Sequence, residues 1–379
     1  MKNIYKIILF VAMAGVTLFS SSCDNDSDTN APYISYVRVT NPAAADSLLV
    51  AAKQGQQIVI IGGNLQNTQQ VWFNDRQAKL TPVYINNKAV IVSVPSEIPI
   101  DITNKLKLVF SNGESLLYDF EVIINKPQLN NMNCEYVNEG GTAVINGNYF
   151  YLPLSVTFPG GATVSSEDGA VSVDESYKIL SVKVPAGAQP GQLTVTSQFG
   201  TSKSNFWFRD NRNIFCDYDS YKGGQGDIIS DPNPSDPPLI SGPYKRVKKA
   251  MGEWEWTEVH SWVINHNIPD DAILNPKSYY YKFELCTMKP YNANGVRVWV
   301  GDPANNTEKG YYEWLPPVDT KGQWQTITIS LEDIIAKNEP FGVLPNYFFG
   351  FIYCGKGELD CDMSFVNFRI VLKAIPGND

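Results

Sequence analysis

The sequence carries little charge, and the excess is negative. Only 18% of its 379 residues are charged, and the formal net charge is −9. Proteins that bind nucleic acid need a basic surface. The one basic run, residues 245–249, is typical of a short solvated strand or turn. The composition therefore argues against a nucleic-acid partner.

The signatures of several enzyme classes are also missing. The chain has two histidines, His260 and His266, but no nucleophile elbow, phosphate loop or dinucleotide fingerprint. A glycosidase needs two carboxylates facing each other across a cleft. Glutamates near the tryptophans supply the residue type, but their spacing singles out no pair: Glu253, Glu255, Glu258 and Glu313. We expect no catalytic residues and no cofactor.

The cysteines form no disulfide framework. Five remain when Cys23 is set aside, an odd number spread widely along the chain: Cys134, Cys216, Cys286, Cys354 and Cys361. Together with the two histidines they match no zinc-binding spacing, so no metal site is predicted. Cys354 and Cys361 could close a small loop, and buried free thiols are the alternative.

Long apolar runs are absent after the first 20 residues. Residues 1–6 carry two lysines, residues 7–19 are mostly apolar but too few to span a bilayer, and small residues precede Cys23. This pattern predicts a signal peptide over 1–22 and a lipidated Cys23, followed by an acidic tether up to residue 31. An ordinary secretory signal is the alternative. Since no spanning segment follows, we expect membrane contact only through the lipid anchor.

Turn residues and aromatics are plentiful, with 28 Gly, 24 Pro, 20 Tyr and 18 Phe, which favours an all-β protein. A diverged repeat is visible. Residues 55–73 align with residues 140–158, and each copy is followed by a strand that ends in Val-Pro. Short strands between Gly and Pro turns predict two consecutive β-sandwiches, over 32–126 and 127–208.

The repeat also resembles a known family. The glycine-bounded strand, the Val-x-Phe strand and the Val-Pro strand are similar to those of immunoglobulin-like IPT/TIG domains. Domains of that family are commonly spacers, so the resemblance implies that 32–208 is a stalk. The short joints at residues 126–127 and 209–211 favour a stiff stalk over a flexible one.

The last region, 209–379, has strands whose alternation assigns their two faces. Val296, Val298 and Val300 are expected in the core, which leaves Arg297 and Trp299 outside. The remaining strands follow the same pattern, and about 165 residues of this kind predict a jelly-roll-like sandwich.

Tryptophans concentrate in this last region, where six of the chain's eight follow residue 209. Clustered exposed aromatic rings indicate a binding surface, and the apolar face of a sugar ring is one natural partner for them. Tyr312 and Trp314, near stiffening prolines, are the first candidates. Core positions remain an alternative for the tryptophans, and Trp262 is assigned to the core. Further candidate binding residues are Trp299, Trp256 and Trp254.

The last region resembles the C-terminal carbohydrate-binding domain of surface glycan-binding proteins from Bacteroidetes polysaccharide-utilisation systems. The segments that carry the likeness are 254–256, 281–284, 312–316, 322–329 and 365–370. The acidic tether is also similar to the surface-export signal of outer-membrane lipoproteins from that phylum. The resemblance implies two Ig-like spacer domains followed by a jelly-roll-like binding domain.

The same resemblance implies a function. It is that of a non-catalytic cell-surface lipoprotein on the outer membrane, which captures polysaccharide for glycan uptake machinery. An extended β-linked glycan is favoured as the ligand. A protein-binding adhesin and a glycoside hydrolase are the alternatives.

We predict that Cys23→Ala releases the protein from membranes, because the lipid would be its only anchor. Membrane fractionation and surface labelling of intact cells measure this. The matched control is Cys134→Ala, which leaves the predicted lipidation site intact. Unchanged membrane retention of Cys23→Ala would show that Cys23 does not carry the anchor.

Overall fold

Nearly all of the regular structure is β-strand. The computed structural model describes residues 31–304 and 310–374, so the predicted signal peptide, Cys23 and most of the tether lie outside the described residues. The helices are short: α-helical at Asp270–Leu274 and Leu331–Ile335, and 3-10 at Pro42–Ala44, Pro82–Tyr84 and Pro276–Ser278. Paired sheets confirm the predicted all-β sandwich class. Within the described ranges, no helix has the length and apolar character needed to cross a bilayer.

Two compact units divide the chain after residue 124. The first is a sandwich of two antiparallel sheets, in the orders β1-β3-β6 and β5-β4-β7-β8, with a parallel β2-β9 pair. Alternating residues such as Leu106, Leu108 and Phe110 fill its core. Its strands are β1 Tyr33–Val39, β2 Ala51–Lys53, β3 Gln57–Gly63, β4 Thr68–Phe73, β5 Arg76–Gln77, β6 Ala89–Ser93, β7 Lys105–Phe110, β8 Ser115–Asp119 and β9 Glu121–Ile123.

The second unit begins with another two-sheet sandwich, in the orders β10-β11-β15-β14 and β13-β12-β16-β17. A separate apolar cluster, including Ile145, Val156 and Phe208, lies between its sheets. Its strands are β10 Gln128–Met132, β11 Thr142–Asn148, β12 Leu154–Thr157, β13 Thr163–Ser165, β14 Val171–Val173, β15 Ile179–Lys183, β16 Gly191–Ser197 and β17 Gly200–Phe208.

Equivalent glycines of the internal repeat allow the same close approach of two strands in both sandwiches. A Cβ on Gly62 would lie 1.9 Å from the carbonyl oxygen of Tyr33, and a Cβ on Gly147 would lie 1.9 Å from that of Gln128. At each place the first strand of the sandwich crosses its neighbour too closely for any side chain, so only glycine fits. The glycine repeated in the sequence therefore marks the same kind of strand contact in each sandwich.

The rest of the second unit is a larger sandwich. One sheet has the order β19-β20-β27-β22-β25, with β18 also paired to β27, and the other has the order β21-β26-β23-β24. A core rich in aromatic rings fills the space between them. The strands are β18 Ile214–Cys216, β19 Asp227–Ile229, β20 Tyr244–Met251, β21 Trp256–Asn265, β22 Tyr279–Thr287, β23 Val296–Gly301, β24 Tyr312–Trp314, β25 Gln325–Ser330, β26 Tyr347–Cys354 and β27 Leu359–Leu372.

A buried charge cluster joins the two sandwiches of the second unit. The Arg369 guanidinium donates to Glu284 at 2.8 Å and to Glu135 at 2.6 Å, and Lys282 also donates to Glu135. Burial raises the pKa of Glu284, and the charge of Arg369 opposes that rise. Two cations and two carboxylates compensate each other, and losing one would leave an unpaired buried charge. The predicted boundary between 208 and 209 stays a prediction, since residues from 125 onward form one unit.

All five cysteines in the described ranges are free thiols, and Cys361 lies beside Tyr353 rather than in a disulfide with Cys354. Four of them are buried. The buried-thiol alternative is therefore the one that the structure shows.

His260 is buried among aromatic rings of the large sandwich. Its ring lies 4.5 Å from Phe368 and 5.8 Å from Phe351, measured between centroids. Its Nε2 has no hydrogen-bond partner among the described residues. Burial, aided by the charge of Lys245, lowers the pKa of His260 to about 3. The folded protein therefore holds this imidazole neutral.

We predict that stability falls as the pH is lowered from about 6.5 to about 3, in part because of His260. The unfolded chain takes up the imidazole proton near pH 6.5, whereas the folded chain resists it down to about pH 3, so acid favours unfolding. His260→Phe should flatten this dependence in urea unfolding at several pH values. The control is the exposed Tyr177, since Tyr177→Phe changes no histidine or carboxylate and should keep the wild-type slope. A wild-type slope in His260→Phe would contradict the assignment.

Candidate functional site

The four-stranded sheet β21-β26-β23-β24 presents two different faces. Val296, Val298 and Val300 point into the core, as their alternation predicts. Residues directly paired across strands share a face, and Arg297 pairs with Ile352 while Trp299 pairs with Gly350. Arg297, Trp299 and their partners therefore lie on the face away from the core. We call it the outer face.

Aromatic side chains form a continuous strip along the outer face. Trp262 contacts Phe348 with 5.6 Å between ring centroids, and Trp299 contacts Tyr311 at the same distance. Trp299 and Phe348 belong to one buried apolar cluster with Ile352, against which Tyr311 packs. The aromatic strip consists of Trp256, Trp262, Trp299, Tyr311 and Phe348.

Arg297 connects Trp256 to the rest of the strip. Its guanidinium carbon lies 4.2 Å from the ring centroid of Tyr311 and 5.9 Å from that of Trp256. Both are within the range of a cation–π contact. The strip therefore crosses from β21 to the start of β24.

Gly350, at the centre of the outer face, makes room for the rings. A Cβ at this position would lie 3.1 Å from Cε3 of Trp299 and 3.3 Å from ring atoms of Phe348. Such distances are tighter than most real contacts, so a larger residue would push both rings outward. The backbone of β26 at Gly350 thus allows Trp299 and Phe348 to lie low against the sheet.

Polar groups flank the aromatic strip. Trp256 Nε1 donates to Glu258 at 3.1 Å, and the Ser261 hydroxyl donates to the same carboxylate. On the opposite side, Lys356 donates to Glu313 at 2.7 Å. The outer face therefore combines apolar ring surface with carboxylate and cationic groups at its edges.

Two predicted site residues lie on the outer face. Trp256 is 39% exposed. Trp299 has the orientation that alternation predicted but is only 7% exposed, because Phe348, Ile352 and Tyr311 pack around it. A third, Trp254, is 67% exposed in the turn before β21. Their part in binding stays a prediction.

The expected exposure of Tyr312 and Trp314 is wrong. Tyr312 pairs with Val298 and Trp314 pairs with Val296, so both point toward the core. Trp314 is 7% exposed and packs against Phe283 at 5.5 Å and Tyr291 at 5.0 Å. Tyr312 is partly buried against the same core. The intervening Glu313, not the two aromatic residues, faces outward beside Arg297.

Three residues of the strip were missed by sequence reasoning. Trp262, which was assigned to the core, is 61% exposed. Two register shifts in β21, on either side of His260, bury His260 and leave Trp262 outside. Tyr311 and Phe348 gave no separate signal, because each has an aromatic neighbour that faces the core. Only the strand register shows which residue of each neighbouring pair faces the core and which faces outward.

Residues 208–372 match the family model described as "Surface glycan-binding protein B xyloglucan binding domain". An IPT/TIG domain-containing protein from Bacteroides ovatus is 31% identical over 232 residues, which cover 54% of this chain and 46% of that protein. The match thus spans less than half of the relative's length. Together these findings confirm the resemblance predicted from the sequence.

Two solved structures show the fold. One is surface glycan-binding protein PbSGBP-B from Prevotella bryantii, with 23% identity, a TM-score of 0.71, and coverage of 90% of this chain and 99% of that chain. The other is SGBP-B from a complex xyloglucan utilization locus in Bacteroides uniformis, with 19% identity, a TM-score of 0.50 and the same coverage. Both support the all-β sandwich architecture.

We predict that Trp314→Ala lowers the free energy of unfolding by about 3–5 kcal/mol, the usual cost of removing a large aromatic ring from a core. Urea unfolding followed by circular dichroism measures it. Trp262→Ala is the matched control, since removing an exposed ring should cost little. Wild-type stability in Trp314→Ala would place that ring outside the core.

Proposed function

We propose that this chain is a non-catalytic polysaccharide-binding protein of the cell surface and that the aromatic strip is its binding face. The observation that carries the proposal is the continuous row of rings on the outer face. Trp262 and Trp256 expose 61% and 39% of their surface on this face. Exposed apolar rings gathered on one face of a folded domain are typical of a binding site.

The chemistry of the strip suits a sugar chain. The apolar faces of sugar rings can stack on aromatic rings, and each contact contributes on the order of 1 kcal/mol by analogy with aromatic pairs. The hydroxyl groups at the sugar's edge can meet the flanking polar groups, such as Glu258. Binding also restricts the polysaccharide, which offsets part of the gain. We therefore expect modest affinity for one short oligosaccharide.

The ligand we propose is an extended β-linked glycan. The two well-exposed rings, Trp262 and Trp256, lie at different points of one sheet face, so they can meet different sugars of an extended chain. The family model matched by 208–372 is named for xyloglucan binding. A structure from Bacteroides uniformis belongs to a xyloglucan utilization locus by its name. Xyloglucan is therefore the first probe to test.

The remaining parts of the chain have features expected of segments that hold the aromatic strip outside the cell. We propose a lipid anchor at Cys23 in the outer membrane, with 32–126 and 127–208 acting as Ig-like spacers. Glycan captured on the strip would pass to outer-membrane uptake machinery. The support is the N-terminal pattern, the tandem sandwiches and the IPT/TIG relative from Bacteroides ovatus.

The carboxylates near the strip have structural partners. Glu255 pairs with Lys249, and Glu313 pairs with Lys356. Hydrogen bonding to Lys249 lowers the pKa of Glu255, whereas a glycosidase acid needs a raised one. Glu258 accepts from Trp256 and Ser261. These contacts support binding without hydrolysis.

We predict that Trp262→Ala weakens xyloglucan binding at least about tenfold, which corresponds to 1.4 kcal/mol, while the protein releases no reducing ends. Isothermal titration and a reducing-sugar assay measure the two. Trp262 is the strip residue of choice because its ring is well exposed and its loss should leave the fold intact.

The matched control is Tyr177→Ala, an exposed aromatic residue of the proposed spacer, which should bind like wild type. Affinity gels with a panel of β-linked and α-linked polysaccharides extend the test to other ligands. A folded Trp262→Ala protein that binds every polysaccharide of the panel as wild type does would refute the assigned face. Release of reducing ends would show an enzyme.

A further inference from the structure

We infer that Arg297 determines the specificity of the outer face by donating hydrogen bonds to acceptor oxygens of the bound sugar. This inference rests on the proposed function of the aromatic strip. It adds a directional polar contact to a surface whose rings alone would accept many sugars.

The position of Arg297 is central. It lies on β23 between its cross-strand partners Ile352 and Glu313, two residues before Trp299 on the same face. Its guanidinium links the rings of Trp256 and Tyr311. A sugar that stacks on either ring would therefore lie next to this cation.

The contact with Tyr311 leaves the donor edge of Arg297 available. A guanidinium is planar, carries five N–H donors within its plane and has no acceptor. At 4.2 Å above the Tyr311 centroid, the ring holds the group through its face. The ring offers no oxygen acceptor. The cation–π contact thus holds the guanidinium in place while no oxygen of the described residues accepts a hydrogen bond from it.

The described ranges contain seven arginines, and six of them donate a hydrogen bond to a protein oxygen: Arg38, Arg76, Arg209, Arg212, Arg246 and Arg369. Arg297 has no such bond to any described residue, and its Nε is buried without a partner. Hydrogen bonds to protein oxygens position the side chains of the other six arginines. The contacts recorded for the Arg297 guanidinium are those with the rings of Trp256 and Tyr311.

The nearest carboxylates are engaged elsewhere. Glu313 is directly opposite Arg297 in the sheet, yet it pairs with Lys356. Glu258 accepts from Trp256 and from Ser261. A ligand oxygen beside the guanidinium would supply the hydrogen-bond acceptor that the described residues do not give Arg297, so the site favours ligands with an acceptor at that point.

Two kinds of sugar offer the required oxygen. Neutral sugars have hydroxyl and ring oxygens, and uronic acids have a carboxylate that can accept two parallel bonds from arginine. Xyloglucan and glucuronoxylan serve as the neutral and the uronate-bearing probes. Binding through a carboxylate should weaken with added salt, whereas binding through hydroxyl oxygens should not. Titration at low and high salt therefore tells which oxygen is used.

The test uses the full chain with Arg297→Gln and Arg297→Lys. We expect Arg297→Gln to bind the preferred probe at least about tenfold more weakly. Arg297→Lys should fall between it and wild type, since lysine keeps the charge but not the planar fork. Lys107→Gln is the control, because Lys107 makes a similar contact with Trp72 in the first unit. It should bind like wild type, and thermal unfolding should show all variants folded.

The outcomes separate this inference from the proposed function. If Arg297→Gln binds both probes like wild type while Trp262→Ala does not, the strip binds glycan and the role of Arg297 is refuted. If Trp262→Ala also binds like wild type, the proposed face itself fails. Should Arg297→Gln not fold, Arg297→Lys decides the matter, and wild-type affinity in that variant overturns the inference.

Discussion

The antiparallel pairing of β23 with β26 determines which side chains face the core and which form the aromatic strip. Side chains alternate along a strand, so a shift of one residue would exchange the two sets. In the register observed, Val298 lies opposite Phe351 and Trp299 lies opposite Gly350. The valine and phenylalanine fill the sandwich, while the tryptophan ring lies beside the glycine on the outer face. Core and outer face therefore depend on the same pairing.

The central strand β26 shows what is unusual about this sheet. Every residue from Tyr347 to Tyr353 is buried, as expected of a strand covered on both faces. One cover is the rest of the sandwich. On the other side, the rings of Trp299 and Tyr311 pack together over the sheet. Trp262 stays 61% exposed on the same face, which keeps ring surface available to a ligand.

Much of the architecture could be predicted from the sequence. The repeated glycine-bounded strand revealed two similar sandwiches, and the Val296, Val298, Val300 alternation placed Arg297 and Trp299 on the outer side. The strand faces were predicted correctly because alternation is a local pattern, and the two sandwiches because the repeat is visible directly in the sequence. The glycine pattern additionally marks a close strand crossing that admits no side chain.

The composition of the outer face was harder to predict because it depends on pairing between distant segments. β24 is only three residues long, so alternation within it cannot tell which side faces the core. Its pairing with β23 puts Trp314 inside. In β21 the register shifts on both sides of His260 break the simple alternation, and Trp262 emerges on the outer face. Neither a register nor a bulge can be read from local composition.

Buried charges at residues 135, 282, 284 and 369 join the large sandwich to the Ig-like sandwich that precedes it. Arg369 is fully buried, and burial alone would disfavour its charge, but the carboxylates of Glu284 and Glu135 outweigh that effect and raise its pKa. Such a cluster is stable only when every partner is in place. Because Glu135 comes from the Ig-like sandwich and Arg369 from the strand at the centre of the larger one, moving either sandwich would separate these charges from their partners. The cluster therefore favours one arrangement of the Ig-like sandwich and the sandwich that carries the aromatic strip.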